Sequence, residues 1–424
     1  MSGYHNHSPL GSFPMHKLKR VDRPTNSIDE TAIQRRSESE SGFARAMHGD
    51  FGPTIQREVA RFAVKHPLSA SMVEIENHLS EKVDGVVASQ KAPITQDPEA
   101  LALHIKKTAY FLRADSVGIC ELPPYAVYTS QDKAGSAPHE AAKAMERAAA
   151  GQTPQAPSAV AAEDDLIAKK HTHAIAVLVD QDYPASHATN GHDWISNSMS
   201  FVAYTGAALI ATMLAGYIRR LGYSARAHVT GDYQVMVPPI LLWAGQGEMC
   251  RIGDIVLHPF LGPRFKASIV TTDLPMLPDK PIDFGLRDFC TKCKKCAREC
   301  PSHALGLEGT VHFNGYEKWP VDVRKCTSMR CGNMQGTSCG TCLTVCPWNK
   351  PYTPFHRSVG WAMRHSSVAR SVAIRGDDLL GYGKAHPKER WWFDLEERDG
   401  VLGVPGPKRK RVLVSEDVEA DMRD

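Results

Sequence analysis

The run DFCTKCKKCARECPSHAL constrains this chain more than any other stretch, because it sets Cys290, Cys293, Cys296, Cys300 and Pro301 in the spacing C-x2-C-x2-C-x3-C-P. Steps of two residues wrap a short loop around one inorganic core, while a fourth cysteine after three residues, followed by proline, turns away towards a second core. A second group, Cys339, Cys342, Cys346 and Pro347, repeats the latter half of the pattern. Its missing member is best supplied by Cys326, with twelve residues between it and Cys339; Cys331 is the alternative. Zinc would be met by two CxxC pairs and needs neither the third cysteine nor the C-P ending. The spacing therefore predicts two 4Fe-4S clusters. Cys290, Cys293, Cys296 and Cys346 are expected around one, and Cys326, Cys339, Cys342 and Cys300 around its neighbour.

Nine of the eleven cysteines fall between Cys290 and Cys346, which argues for metal rather than a disulfide framework in a compartment that keeps thiols reduced. A formal net charge of +3 over 424 residues gives no concentrated basic face for nucleic acid. The late run PKRKR, Pro407 to Arg411, reads as a solvated tail. The most apolar window, FVAYTGAALIATMLAGYI, is interrupted by Tyr, Thr and Gly, so no membrane span is expected. Arg35 and Arg36 are followed by SESESGF rather than the apolar stretch of an export signal, which predicts a cytoplasmic protein.

Residues 1–55 read as an extended N-terminal arm. Alternating helix and strand signals follow: a helix from near Asp97 running into a strand that ends at Cys120, a buried strand His173–Asp180, and a long apolar helix ending at Gly222 before another strand. The segment 131–165 is rich in Ala, Pro, Gly and Gln and reads as a low-complexity insertion. The expected class is α/β (α+β) with a central sheet over 56–283, an iron-sulfur domain over 284–355, and a C-terminal extension, 356–424, packing back on the body.

Two clusters form a wire for single electrons, and the folded body before them is expected to hold the acceptor. The runs GQGEMCRIGDIVLHPFLGPRFKASIVTTDLPM, DFCTKCKKCARECP, YEKWPVDVRKC, CGTCLTVCPWNKP and WWFDLEE together resemble the cobalamin-dependent reductive dehalogenases, over roughly residues 100 to 400. The resemblance implies a nitroreductase-like domain holding a base-off cobalamin, followed by a ferredoxin-like domain with two 4Fe-4S clusters. No D-x-H-x-x-G string offers a lower histidine to cobalt, which agrees with the detached base. The family sets a tyrosine and a basic residue beside the upper corrin face, roughly sixty positions apart; Tyr204 in FVAYTG and Lys266 in GPRFKAS occupy the matching places.

An unperturbed phenol has a pKa of about 10 and gives up its proton reluctantly. A neighbouring cation stabilises the phenolate left behind. Lys266 would thus help Tyr204 act as proton donor. Arg330, in CTSMRCG, resembles a substrate-contacting arginine of cytosolic members, and a guanidinium suits a phenolate or carboxylate. Within GQGEMCRIG, Gly245, Gly247 and Gly253 are expected to allow close backbone approach to the corrin, with Met249, Cys250 and Arg251 as its neighbours.

The function implied is reductive dehalogenation of a halogenated aromatic, an ortho-halogenated phenol or hydroxybenzoate, with electrons passing through both clusters to cobalamin as Co(I). Because the sequence ends at Asp424 with no fused flavin and 2Fe-2S domain, a separate ferredoxin or flavin-type reductase is expected as donor. Two alternatives use the same motifs: an epoxyqueuosine reductase-like corrinoid enzyme acting on tRNA, and an electron-transfer or corrinoid-reactivating protein.

Overall fold

A computed structural model describes residues 11–63, 66–132, 171–189, 194–332, 338–384, 393, 396–398 and 401–403. The expected insertion at 131–165 lies almost wholly outside the described residues, as does most of the chain after Lys384.

The body is organised by a four-stranded antiparallel sheet. Its strands are β1 (Ser116–Glu121), β2 (His173–Asp180), β3 (Ala225–His228) and β6 (Phe265–Thr272), in the spatial order β1-β2-β6-β3. A two-stranded ribbon, β4 (Glu248–Met249) with β5 (Val256–Leu257), stands apart from it. The sequence HAIAVLVD makes the central strand because its β-branched side chains fit a pleated surface and its two faces are both apolar. Ile175 and Val177 join one hydrophobic cluster, with Ile119 and Val270; Ala174, Ala176 and Leu178 join another, with Cys120 and Ile269. That division is the period-two alternation of a strand buried on both sides.

Each face has its own helices. The first is covered by α4 (Pro98–Phe111), through Leu101 and Ile105, and by the 27-residue α6 (Trp194–Arg220), through Ala208, Ala211, Leu214 and Ile218. Asp97 starts α4 as predicted, accepting from the amides of Glu99 and Ala100 at 3.2 and 3.3 Å, with Pro98 in the first turn. The second face is covered by α7 (Val237–Trp243), through Ile240 and Leu242. By length and composition alone α6 would pass for a membrane-crossing helix. In the fold it is the central core helix, and its small residues Ala207, Ala211, Ala215 and Gly216 let it sit close to its neighbours.

The arm is more built-in than the sequence suggests. Arg20 bridges to Ile282, Ile28 to Tyr316, and Arg35 donates to the carbonyls of Val127 and Tyr128 at 2.9 and 2.8 Å. It then forms α1 (Gly42–Met47), started by the Ser41 side chain, and α2 (Pro53–Ala60). Ala44, Ala46, Phe51 and Ile55 are fully buried there, so this part of the arm carries core. The next helix, α3 (Pro67–Ser80), packs along α6.

After Phe284 regular structure shortens. Helix α8 (Leu286–Cys293) is stopped by Lys294 in the left-handed conformation, φ +54, and one turn of α9 (Lys295–Arg298) follows. A hairpin of β7 (Val311–Phe313) and β8 (Tyr316–Lys318) leads to α10 (Val323–Gly332); the turn α11 (Thr341–Thr344) begins after Gly340, φ +73. Two longer helices, α12 (Pro354–His365) and α13 (Ser367–Leu379), pack on each other and over the cysteines.

Candidate functional site

Lys266 lies on β6, paired with Val179 of β2, and Tyr204 lies on α6, which crosses that part of the sheet. The Lys266 ammonium stands 4.8 Å from the centroid of the half-buried Tyr204 ring. A cation over an aromatic face is attracted by the ring quadrupole, and more strongly once the ring carries phenolate charge. The ammonium lies over the ring, and a cation so placed favours the phenolate form electrostatically.

Two residues that sequence reasoning missed complete this corner. Tyr233, in the loop after β3, donates its hydroxyl to the carbonyl of Ala267, next to Lys266, at 2.9 Å. Burial, and then the adjacent Tyr204, push its phenol well above the ordinary range. Glu76, fully buried on α3, accepts from Thr205 Oγ1 at 2.9 Å, one residue along from Tyr204. Burial raises its carboxyl to about 8, so it is largely neutral at pH 7. The sequence holds a signal for Glu76: Ser69, Val73 and Glu76 repeat at helical spacing, which puts an acid on the buried stripe of α3. For Tyr233, in a loop, no pattern points to it.

Arg330 sits on α10 with its guanidinium 4.7 Å from the ring of Phe43 and 5.8 Å from that of Phe62. Phe62 packs in one cluster with Phe201, whose ring is 6.4 Å from that of Tyr204. Among the described residues Arg330 has no carboxylate partner. The structure thus brings Tyr204 and Lys266 together and leaves Arg330 one aromatic layer away.

The cysteines gather in one region. Cys346 feels Cys296 and Cys293, and Cys290 feels Cys346 and Cys293; Cys339 and Cys342 feel Cys326 and Cys300, and Cys342 also feels Cys296. Cys331 turns into the apolar cluster of Phe51, Phe62 and Phe201, whereas Cys326 packs beside Cys300. Burial raises all four thiols of the first set, Cys296 to about 12. Thiolates in such a place need a positive core to hold them, which is the service an iron cluster supplies. The donor set therefore fits two clusters.

GQGEMCRIG is used differently from the sequence expectation. A side chain at Gly245 would meet the Lys280 carbonyl at 2.3 Å, one at Gly247 the Leu257 carbonyl at 2.2 Å, and one at Gly253 the Val321 side chain at 2.8 Å. Their space is taken by protein. Arg251 is buried and spends its guanidinium on the carbonyls of Cys290, Gly306 and Glu308, at 2.8 to 2.9 Å, while lying 4.0 Å over the Trp319 ring. It clamps the body to the first cysteine loop. Cys250 packs with Cys290, Cys293 and Cys346. Met249 of this group lines a cavity of about 630 Å³ between the arm, α7, the β7–β8 hairpin and the start of α10.

That cavity has apolar walls, including Met236, Leu242, Met249 and Tyr125, and a polar rim with Arg36 and Lys318. Tyr128 lines it too, and its amide donates to the carbonyl of Gln234, next to Tyr233, at 2.9 Å, which sets the cavity near the Tyr204 corner. Broad apolar walls with a polar margin fit a flat macrocycle carrying polar side arms.

Comparison with known proteins agrees. Residues 289–350 match the family model described as a 4Fe-4S dicluster domain. The chain is 30% identical over 312 residues to tetrachloroethene reductive dehalogenase of Sulfurospirillum multivorans, covering 71% of this chain and 61% of that protein. Among solved structures it is similar to the catabolic reductive dehalogenase NpRdhA at 39% identity and a TM-score of 0.81, covering 96% of this chain and 55% of that one; NpRdhA has also been solved with 3-bromo-4-hydroxybenzoic acid. A reductive dehalogenase structure described as suggesting a mechanism for B12-dependent dehalogenation matches at 38% identity and a TM-score of 0.81, covering 97% of this chain and 56% of that one. The chain thus spans a little over half the length of these relatives.

Proposed function

This chain is a relative of the reductive dehalogenases, and from that premise we propose that it replaces a halogen on an aromatic ring by hydrogen. The net change is one carbon-halogen bond broken and one carbon-hydrogen bond formed, with two electrons and a proton consumed and halide released. The observation that carries the reading is the Lys266 ammonium over the Tyr204 ring, near an apolar-walled cavity and the helix α10 that carries Cys326.

Bound base-off cobalamin would supply a strongly reducing cobalt centre, fed with single electrons by two 4Fe-4S clusters. Tyr125, Met236, Leu242 and Met249 would form its cavity wall, and the two cysteine sets would hold the clusters. The buried His258 is held by the protein's own groups. Its Nδ1 accepts from the amides of Phe260 and Leu261 and its Nε2 pairs with Ser116 Oγ, while burial lowers it to about 3. Neither nitrogen is left for cobalt.

Tyr204 gives the proton, and Lys266 stabilises the phenolate left behind. Arg330, with aromatic faces on one side and no carboxylate among the described residues, is suited to hold a phenolate or carboxylate of the substrate. This favours an ortho-halogenated phenol or hydroxybenzoate. The body is read as nitroreductase-like over 56–283 and the cysteine region as ferredoxin-like over 284–355.

The test is anaerobic bromide release from ortho-brominated phenols and hydroxybenzoates by reconstituted protein reduced with a low-potential dye. Release is expected only with both cofactors present. Tyr204→Phe is expected to lower it about 10²- to 10⁴-fold, the usual worth of a positioned acid, with iron and corrinoid content unchanged. Undiminished release by Tyr204→Phe would remove that residue from its role. No release from fully loaded protein would shift the reading to the tRNA enzyme or the electron-transfer protein.

A further inference from the structure

The two cysteine sets occupy different sides of their region. Cys326 lies one turn before Arg330 on α10, and the carbonyl of Cys339 accepts from Ser196 of α6, the helix that carries Tyr204, at 3.1 Å. The second set therefore faces the Tyr204 corner. Cys290, Cys293 and Cys346 instead pack with Met363 of α12 and with Ala373 and Ile374 of α13. The first set is therefore the one that lies against the α12–α13 side.

On that side lies a groove of about 1380 Å³, lined by Phe260, Trp348, Tyr352, Phe355, Trp361 and Val372. Large apolar side chains remain exposed along it, Trp361 by 60% and Phe355 by 61%. Isolated apolar residues are ordinary on a surface, but a contiguous aromatic groove marks a contact site. Its charges are one-sided. Lys17, Arg357 and Arg364 line it with no carboxylate partner among the described residues, whereas its acids are neutralised: Asp283 by Lys19 at 2.5 Å, and Asp377 by Lys295 and Lys350 at 2.6 Å each. An aromatic centre with a cationic margin is the complement of a small acidic protein.

We propose that this groove is the docking face of an acidic ferredoxin, which delivers single electrons to the cluster held by Cys290, Cys293, Cys296 and Cys346. The inference rests on the reading of the cysteines as cluster ligands. Each docking event oxidises the ferredoxin by one electron and reduces the cluster by one. Rim charges set how fast the partners meet, and the exposed tryptophan anchors the contact.

The test uses full-length, cluster-loaded protein and follows bleaching of its clusters after rapid mixing with a reduced plant-type 2Fe-2S ferredoxin. A small viologen dye, which needs no docking, is the control. Reduction by ferredoxin is expected to slow with added salt, and Arg357→Glu with Trp361→Ala is expected to slow it about tenfold or more while the dye rate holds. If the pair also disturbs the dye rate, Arg357→Glu alone, fully at the surface, is judged by the same criterion. An unchanged ferredoxin rate, or none where the dye reduces well, overturns the proposal. So does a dimer dissolved by Trp361→Ala, or a crosslink from Trp361→Cys to residues 404–424, since either gives the face another occupant. Halide release is not read here, so failure of the dehalogenase reading leaves this result separate.

Discussion

The sheet body and the cysteine region hold themselves together by different means. In the body, strands buried on both faces meet helices with apolar stripes, and the clusters around Ile175 and around Ala176 are built from closely packed apolar side chains. In the cysteine region the helices run for one or two turns and are broken at Lys294 and Gly340. Much of its interior is thiol, and its fixed points are borrowed: Arg251 reaches in from the body, and α12 and α13 close over the outside. Hydrophobic burial is enough to order the first, whereas the second depends on inorganic cores and on its neighbours.

Removing iron should therefore give the largest effect, and a local one. Amides of 286–350 are expected to lose most of their hydrogen-exchange protection while β2 and β6 keep theirs. Equal loss in both regions would erase the distinction. Leu214→Ala, in the body core, is expected to cost about 2–5 kcal/mol, by the same amount in iron-loaded and iron-free protein, measured by denaturant titration of the body's exchange-protected amides. Arg251→Met breaks three bonds from a charged donor and is expected to cost about 3 kcal/mol, seen as faster exchange around Cys290, Gly306 and Glu308 rather than in the sheet.

The last effect is graded in pH rather than abrupt. The folded Glu76 carboxyl keeps its proton up to about 8, while the unfolded one loses it near 4.5. Between those values the folded state binds the extra proton, so stability falls as pH rises, by about 1.4 kcal/mol per unit at most. Glu76→Gln should remove that part of the slope between pH 5 and pH 8. Identical pH dependence in the two proteins would mean that the carboxyl is not held neutral in the fold.

Much of the architecture is readable from the residues. Asp97 and Pro98 begin α4 where a capping acid followed by proline says they must, and HAIAVLVD becomes an internal strand because every residue between its terminal His and Asp is apolar. The functional corner is less legible. Tyr204 and Lys266 draw attention through family resemblance alone, Tyr233 lies in a loop, and the glycines of GQGEMCRIG make room for Lys280, Leu257 and Val321 rather than for a cofactor.

The sequence by itself points to which cysteines would share a core, because a few residues of backbone can reach only so far and x2 and x3 steps leave few ways to wrap a cluster. It settles strand and helix for the same local reason. Only the tertiary structure decides that Lys266 stands over Tyr204, that Glu76 and Tyr233 adjoin them, and that the first cysteine set faces a groove while the second faces the tyrosine. Those relations are fixed by the register of β6 on β2 and by the packing of α6 across the sheet. They are long-range contacts, which no local pattern encodes.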